Sequence, residues 1–313
     1  MSLVSVIIPT YNRLPILMDA VNSVLSQTFR DFELLIVDDG STDGTRDAIE
    51  AVRDPRIRYL YKENGGVASA RNVGLAHARG KYLFNLDSDD YWLPEFLDIM
   101  VPVMEAHPQF SAFYGRRKVL FPDGRMQEDE LVHSPRSGWI TRELFLHKSL
   151  VPVHTSGTGF RTHDIKGVPY DEQLRNAADF DYWLRLSTRI QFLFVPQAVF
   201  VYRVQHVVNP RTSFSRENGN RIRILERFYF EMEGRRFIPL MKAYRKLSHS
   251  YFSVGKTHLE KKNRTIALFM IKYALGYWPV DFRLYYYWLR ALLLDKREDA
   301  LKDWKMPPPL PKI

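Results

Sequence analysis

The chain has 313 residues, a formal charge of +9 and no cysteine, with 45% hydrophobic and 14% aromatic residues. That apolar content excludes a disordered chain and, at this length, supports one large α/β domain of roughly 200–250 residues with a smaller appendage. The missing cysteines exclude disulfides and thiolate metal sites and fit a cytoplasmic protein. The charge is uneven: Pro210 to Lys305 holds 21 Lys/Arg against 10 Asp/Glu, whereas residues 1–209 hold 23 against 26. Any polyanion-binding surface therefore belongs to the C-terminal third.

Met1-Ser2-Leu3-Val4 runs directly into a strand pattern, without the features of an export signal. Val4 to Ile8 is a β-branched apolar run that reads as a buried parallel strand closed by Pro9. Pro15 suits a helix first turn, and Ile16, Leu17, Ala20, Val21, Val24 and Leu25 recur at three-to-four spacing. Phe32 to Val37 is a second strand, Asp38-Asp39-Gly40-Ser41 a turn, and Thr42 or Asp43 a cap for a helix to about Arg53. Ile57 to Tyr61 is a third strand, Gly65-Gly66 opens a helix through Ala78, and Tyr82 to Leu86 is a fourth strand running into Asp87-Ser88-Asp89-Asp90. Ala112 to Phe121 then predicts a strand, Ser137 to Leu146 a short helix and Asp179 to Arg189 another. Phe192 to Val195 and Val199 to Val204 predict strands flanking Pro196. From about Ser215 the chain is helical, basic and aromatic. Lys272, Arg283 and Arg290 break its apolar stretches, so no spanning helix is expected.

Strands alternating with helices imply a mainly parallel sheet flanked by helices, with ligands beyond the strands' carboxyl ends. Pro9-Thr10-Tyr11, Asp38-Asp39 and Asp87-Ser88-Asp89 all lie at such ends, so they should share one crevice. Asp87 and Asp89, two apart as the chain leaves a strand, can point to one side and offer hard oxygens to Mg²⁺ or Mn²⁺, whose open positions take phosphate oxygens. The plain alternative is a solvated turn with Asp90 capping the next helix. Neither a Gly-x-Gly-x-x-Gly turn nor a P-loop is present, which leaves phosphates to a metal and Arg71. Tyr11 can stack on a base, or simply pack, and Asp39 can accept from a base or ribose.

The segments Val4 to Asn12, Val37 to Asp43, Ala70-Arg71-Asn72 with Gly74, and Leu86 to Asp90 together resemble the ordered signatures of family-2 glycosyltransferases. The resemblance covers about residues 3–206. It implies a GT-A fold, an inverting transfer of a hexose from a nucleoside-diphosphate sugar, most often a UDP-sugar, and a Mn²⁺ or Mg²⁺ cofactor. On it, Pro9, Tyr11 and Asp39 hold the nucleoside, Arg71 lies near the diphosphate or nucleoside, Asp87 touches the ribose and Asp89 binds the metal. The family's Glu-Asp pair followed by Asp-x-Trp-Leu is matched by Ala178-Asp179-Phe180-Asp181-Tyr182-Trp183-Leu184. Asp179 thus falls on the position of the catalytic base, with Ala178 in place of the Glu and Asp181 as the alternative. Thr155 to Arg161 resembles the family's acceptor-side segment, which puts Thr158 and Phe160 there. His206, ending the last strand, stands where members often carry a histidine that meets the metal or diphosphate.

These readings divide the chain into a catalytic domain, 1–214, with a nucleotide-sugar half to residue 110 and an acceptor half beyond it, a basic helical region, 215–305, and a Pro-rich tail, 306–313. The acceptor implied is a saccharide or lipid-linked hydroxyl of a polysaccharide, lipopolysaccharide or glycolipid pathway in the cell envelope. The basic aromatic helices suit either a lid or a peripheral contact with an anionic membrane on its cytoplasmic side. A nucleotidyltransferase would want a basic, Gly-rich loop after the first strand, which Pro9 to Asn12 is not. A nucleic-acid-binding protein would leave the convergent carboxylates unexplained, so no nucleic acid is expected.

Overall fold

The computed structural model describes residues 2–128, 135–146, 153–204 and 210–295, with the backbone alone for 210–218. Two compact units are present, Met1–Val207 and Val208–Ile313. The Pro-rich tail and the last ten residues of the expected helical region, 296–305, lie outside the described residues.

The first unit begins with β1 (Val4–Thr10), α1 (Leu14–Leu25), β2 (Phe32–Asp38), α2 (Thr45–Ala51), β3 (Ile57–Tyr61), α3 (Val67–His77) and β4 (Tyr82–Asn85). β1 and β2 are buried at every position, as strands covered on both faces must be. Val4, Val6 and Ile8 share a core with Leu17, Ala20, Val21 and Val24 of α1, each such burial contributing about 1.5–3 kcal/mol. α3 covers Ile7 so closely that a Cβ at Gly74 would stand 2.5 Å from its Cγ2.

The unit continues with β5 (Tyr91–Trp92), α4 (Phe96–Ala106), β6 (Ala112–Leu120), β7 (Met126–Glu128), α5 (Thr141–Leu146), β8 (Thr158–Arg161), α6 (Thr162–Ile165), α7 (Ala178–Leu186) and β9 (Phe192–Arg203). The strands form one sheet in the order β3-β2-β1-β4-β8-β6-β9-β5, with β7 beside β6. Pairing is parallel across β3-β2-β1-β4 and for β6 with β9. It is antiparallel where β8 enters between β4 and β6, and at the β7 and β5 edges. The expected parallel sheet therefore describes the first four strands, and the later half is mixed because β8 returns into the middle instead of adding to an edge.

One helix had no stated expectation, and two local expectations change. α4 was hidden by Pro102 in its interior; it is held by a Trp92–Phe96 ring stack at 4.5 Å and by Gln27 Oε1, which accepts from Leu97 N–H at 3.0 Å. The two strands around Pro196 are one, β9, whose register jumps so that Val195 faces Gly115 and Val199 faces Arg116. Pro196 has no N–H for the ladder, and a bulge absorbs it. The helix expected from Ser137 starts only at Thr141, because Gly138 exchanges backbone hydrogen bonds with Phe192 in a bridge.

The second unit is helical: α8 (Pro210–Phe230), α9 (Gly234–Phe237), α10 (Leu240–Glu260), α11 (Arg264–Tyr277) and α12 (Phe282–Leu292). Its core joins Tyr251 and Val254 of α10 to Ile266, Met270 and Ile271 of α11 and to Leu284 and Ala291 of α12. Glu226 Oε1 accepts from the hydroxyls of Tyr251 (2.7 Å) and Tyr277 (2.8 Å), and its Oε2 accepts from Arg223 (2.7 Å). Among the described residues no helix is long and apolar enough to cross a membrane.

Candidate active site

The loops after β1 and β2 are sewn together at the strands' carboxyl ends. Asn12, at φ 49°, donates its N–H to Ser41 Oγ (2.9 Å) and accepts from Thr42 N–H (2.8 Å). Asp43, expected with Thr42 as a candidate cap of α2, serves both helices: one oxygen accepts from Leu14 N–H at the start of α1 (2.9 Å), and the other from Thr45 N–H (3.2 Å) and Thr45 Oγ1 (2.5 Å) at the start of α2. Gly44, at φ +82°, occupies the cap position of α2 itself. Asp39 N–H reaches Thr10 O at 2.9 Å. This lacing fixes Pro9, Tyr11 and Asp39 in one wall.

Asp39 is 3% exposed and fully engaged. Its Oδ1 accepts from Lys62 Nζ (2.7 Å) and Gly65 N–H (2.9 Å), and its Oδ2 from Gly66 N–H (2.7 Å). A carboxylate bonded to the N–H groups that open α3 is favoured by those dipoles, and it sets the loop 62–66 against the cavity. Tyr11, by contrast, is 48% exposed, which leaves its ring face open to a planar group.

α3 carries Arg71 to the opposite wall. Arg71 is 5% exposed; its Nη2 donates to Asp87 Oδ1 at 2.5 Å and its guanidinium lies 5.4 Å from the Tyr170 ring. Burial works against the charge of Arg71, and Asp87, Tyr170 and Asp179 more than offset it, so its pKa is pushed up. Burial pushes the Asp87 carboxyl up; Arg71 pulls it back, and Asp89 and Asp179 add repulsion that leaves it above the usual carboxylate range. Asp89 meets Arg13 Nη1 at 2.8 Å. Asp90 turns inward, accepting from Ser156 Oγ (2.5 Å) and Arg203 N–H (3.1 Å). Ser156 Oγ also accepts from Asp87 N–H (3.1 Å). Asp90 therefore holds the turn that directs Asp87 and Asp89 outward.

Asp179 and Asp181, alternatives in the sequence, have different surroundings. Asp181 is 2% exposed and bonded at 2.7 Å to Arg185 Nε, whose Nη2 donates to Pro169 O at 2.8 Å. That pair belongs to the packing of α7. Asp179 is partly exposed in the first turn of α7 and close enough to act electrostatically on Arg71, Asp87 and Tyr170. Thr158 and Phe160 correct an expectation: they are 1% and 2% exposed in β8, with Thr158 Oγ1 on His154 O and Phe160 edge-on to Tyr182. Antiparallel pairing on both sides of β8 makes them core residues, not an acceptor surface. His206 lies outside the described residues.

A cavity of about 510 Å³ opens between these walls, lined by Pro9, Tyr11, Asp39, Arg71, Asp87 and Asp89 together with Thr10, Arg13, the 64–67 loop, Ala70, Ser88 and Arg175. Its size suits a small-molecule ligand. Asp179 is a neighbour of this lining and not part of it. Arg13, Lys62 and Arg175 had no role assigned from the sequence, and Ser156 and Tyr170 none beyond the acceptor-side segment. Arg13 follows directly on Pro9 to Asn12, and Lys62 ends β3 as Asp39 ends β2, so the strand-end rule reaches both. Arg175 comes from a loop far along the chain, whose approach no local pattern announces. Among the described residues no three His, Asp or Glu side chains could hold a metal on protein ligands alone. The repelling pair Asp87 and Asp89 does fit Mg²⁺ or Mn²⁺ shared with ligand phosphates, since such ions commonly take one or two carboxylates and complete their shell from substrate and water.

With that geometry in hand, the likeness to known proteins is specific. The profile of Glycosyl transferase family 2 matches residues 5–168. A Bacillus subtilis glycosyltransferase named for teichuronic acid biosynthesis, TuaG, is 41% identical over 138 residues, which are 43% of this chain and 54% of that protein. The first curated relatives are much longer, and the chain spans less than a quarter of their length. Staphylococcus aureus TarS 1–349, solved with UDP-GlcNAc, superposes with a TM-score of 0.66 at 20% identity over 97% of this chain and 92% of that one. The Pyrobaculum calidifontis mannosyltransferase PcManGT, solved with GDP-Man and Mn²⁺, gives a TM-score of 0.54 at 19% identity over 96% and 83%. The fold is of the GT-A type, an α/β sheet with a C-terminal helical extension, and the chain belongs to glycosyl transferase family 2.

Proposed function

We propose that this chain is an inverting glycosyltransferase that moves a hexose from a UDP-sugar to a hydroxyl of a saccharide or lipid-linked acceptor in polysaccharide or cell-envelope synthesis. The observation that carries the reading is the convergence of Tyr11, Asp39, Arg71, Asp87 and Asp89 on one cavity, with Asp179 beside it. Tyr11 stacks on the base, and Asp39 and the Gly65-Gly66 loop it holds complete the nucleoside wall with Pro9. Arg71, kept charged by Asp87, faces the diphosphate. Asp87 and Asp89 would hold Mn²⁺ or Mg²⁺, an ion that, when bound, would supply positive charge for the departing diphosphate.

Asp179 acts as general base. Its carboxylate takes the acceptor hydroxyl's proton as that oxygen bonds to the anomeric carbon from the face opposite the breaking carbon–phosphate-oxygen bond, and the nucleoside diphosphate leaves with that electron pair. Asp181 is committed to Arg185 and serves packing. The relatives named for polysaccharide biosynthesis and the neighbours solved with UDP-GlcNAc or GDP-Man support this donor class.

Calorimetric titration with UDP-, GDP- and dTDP-sugars, with and without Mn²⁺, tests the reading. One donor family should bind with Mn²⁺, and Asp89→Ala should weaken it by about tenfold or more, the loss of a metal-coupled contact. Metal-independent binding that ignores Asp89→Ala would remove Asp89 from the site, and no binding of any nucleotide sugar would remove the function.

A further inference from the structure

α12 carries apolar side chains on both of its faces. Leu284 and Ala291 are buried in the helical core, while Phe282, Tyr285, Tyr286, Leu289 and Leu293 are exposed by 82, 42, 59, 55 and 86%. Offsets of three, four, seven and eleven residues from Phe282 put these five on one stripe opposite the buried seam. A contiguous apolar stripe of this kind marks a surface that something covers. α12 contains no acidic residue; Arg283 and Arg290 lie along one flank of the stripe, and the Arg290 guanidinium stands 5.7 Å from the Tyr286 ring.

At the start of the stripe lies a cavity of about 450 Å³, lined by Arg245 and His249 of α10, by Trp278, and by Phe282 and Arg283 among others. Asp281 engages Arg283 (2.9 and 2.7 Å). Among the described residues no hydrogen bond or ion pair holds the side chain of Arg245 or His249; the one carboxylate in the lining, Asp281, is bonded to Arg283 and only acts on Arg245 from a distance, so the lining holds more cationic than anionic groups. Burial first, then the cations Lys246, Arg283 and Arg245, push the pKa of His249 down, against a smaller opposing pull from Asp281. Residues 210–295 hold 17 Lys/Arg against 7 Asp/Glu.

We infer that the second unit seats on an anionic phospholipid surface, with the α12 stripe in the interfacial layer and a lipid phosphate in the cavity between Arg245 and His249. An apolar protein face would match the stripe and leave the cavity's charge unmatched; an anionic bilayer matches both. The inference does not rest on the transfer reaction.

Co-sedimentation of the full chain with phosphatidylcholine vesicles, with and without phosphatidylglycerol, tests it. Binding should require phosphatidylglycerol, weaken with salt, and fall by about tenfold or more when the exposed pair Phe282→Ser and Leu289→Ser is introduced. Arg245→Gln with His249→Gln should remove the preference for phosphatidylglycerol. Circular dichroism and nucleotide binding should stay unchanged in both double variants, since all four side chains point outward or line an open cavity. No vesicle binding, equal binding to both vesicle types, or binding indifferent to the stripe variant would overturn the inference. A chain that is dimeric and becomes monomeric with the stripe variant, at unchanged vesicle affinity, would assign the stripe to a second copy instead.

Discussion

Two carboxylates two residues apart on α7 look equivalent in the sequence and are not in the fold. The helix turns Asp181 inward to the guanidinium of Arg185, at 2.7 Å from its Nε, in a pair that is buried on both sides. Removing one partner of such a pair leaves an uncompensated charge, so Asp181→Asn should cost about 3 kcal/mol in urea denaturation and leave donor affinity unchanged. A loss of donor transfer without loss of stability would give Asp181 a chemical role. Arg13 makes a second point at this scale. Its partly exposed bond to Asp89 is of the kind worth about 0.2–1 kcal/mol, and it competes with a cation for the same oxygen. Arg13→Ala should therefore raise Mn²⁺ affinity of the nucleotide-free protein by about two- to fivefold, read from the free Mn²⁺ resonance signal; unchanged affinity would remove the competition. Asp39, Asp87 and Asp89 were legible because strand ends point at a common crevice. The i,i+4 spacing of Asp181 and Arg185 was there to read; that this side of α7 is buried, with Arg185 also on Pro169 O, was not.

At the scale of elements, the first four strands and three helices were legible from β-branched runs and three-to-four spacing, which report burial directly. α4 and β8 were not: Pro102 argues against a helix, and the two central residues of Thr158-Gly159-Phe160-Arg161 give too short a pattern to read. The β1–β2 pair is also held by a polar clamp at its amino end. Glu33 of β2 accepts from Ser5 Oγ (2.6 Å), Arg58 (2.6 Å) and Arg79 N–H (2.8 Å). Burial raises its pKa, and these hydrogen bonds outweigh it, so the folded value lies below the ordinary one. A carboxyl with a depressed folded pKa stabilises the fold above its unfolded pKa of about 4.3 and loses that contribution as pH falls through the folded value. Glu33→Gln should thus cost about 2 kcal/mol at neutral pH, and the gap to wild type should narrow below about pH 4 in thermal melts followed against pH. A gap independent of pH would deny the clamp its charge. Gly74→Ala should cost a further 1–3 kcal/mol or so, because Ile7 cannot retreat from a Cβ within a close-packed sheet.

For the whole molecule, two cores serve two tasks. The first is a sheet that gathers distant loops: Tyr170, held by Asn72 through both its N–H and its C=O, packs beside Arg71, and Arg175, from the same stretch, lines the cavity. The second is a helical bundle built on stacked tyrosines around Glu226. Its basic, aromatic composition was plain in the sequence; which aromatic residues face out was not, since Tyr285, Tyr286 and Tyr287 read alike until α12 is placed. Hydrogen exchange should separate the tasks. Donor with Mn²⁺ should protect residues 9–13, 62–71 and 87–90, and anionic vesicles should protect 282–292. Vesicle protection confined to the first unit would contradict the division.

The most direct test of the account is turnover of the bound donor by wild type and by Asp179→Asn, at matched donor saturation with Mn²⁺ present. The account predicts that Asp179→Asn binds the donor as wild type does and loses transfer by about 10²–10⁴-fold, the usual contribution of a general base. Transfer at the wild-type rate would contradict it, and would return the search for the base to other groups around the cavity.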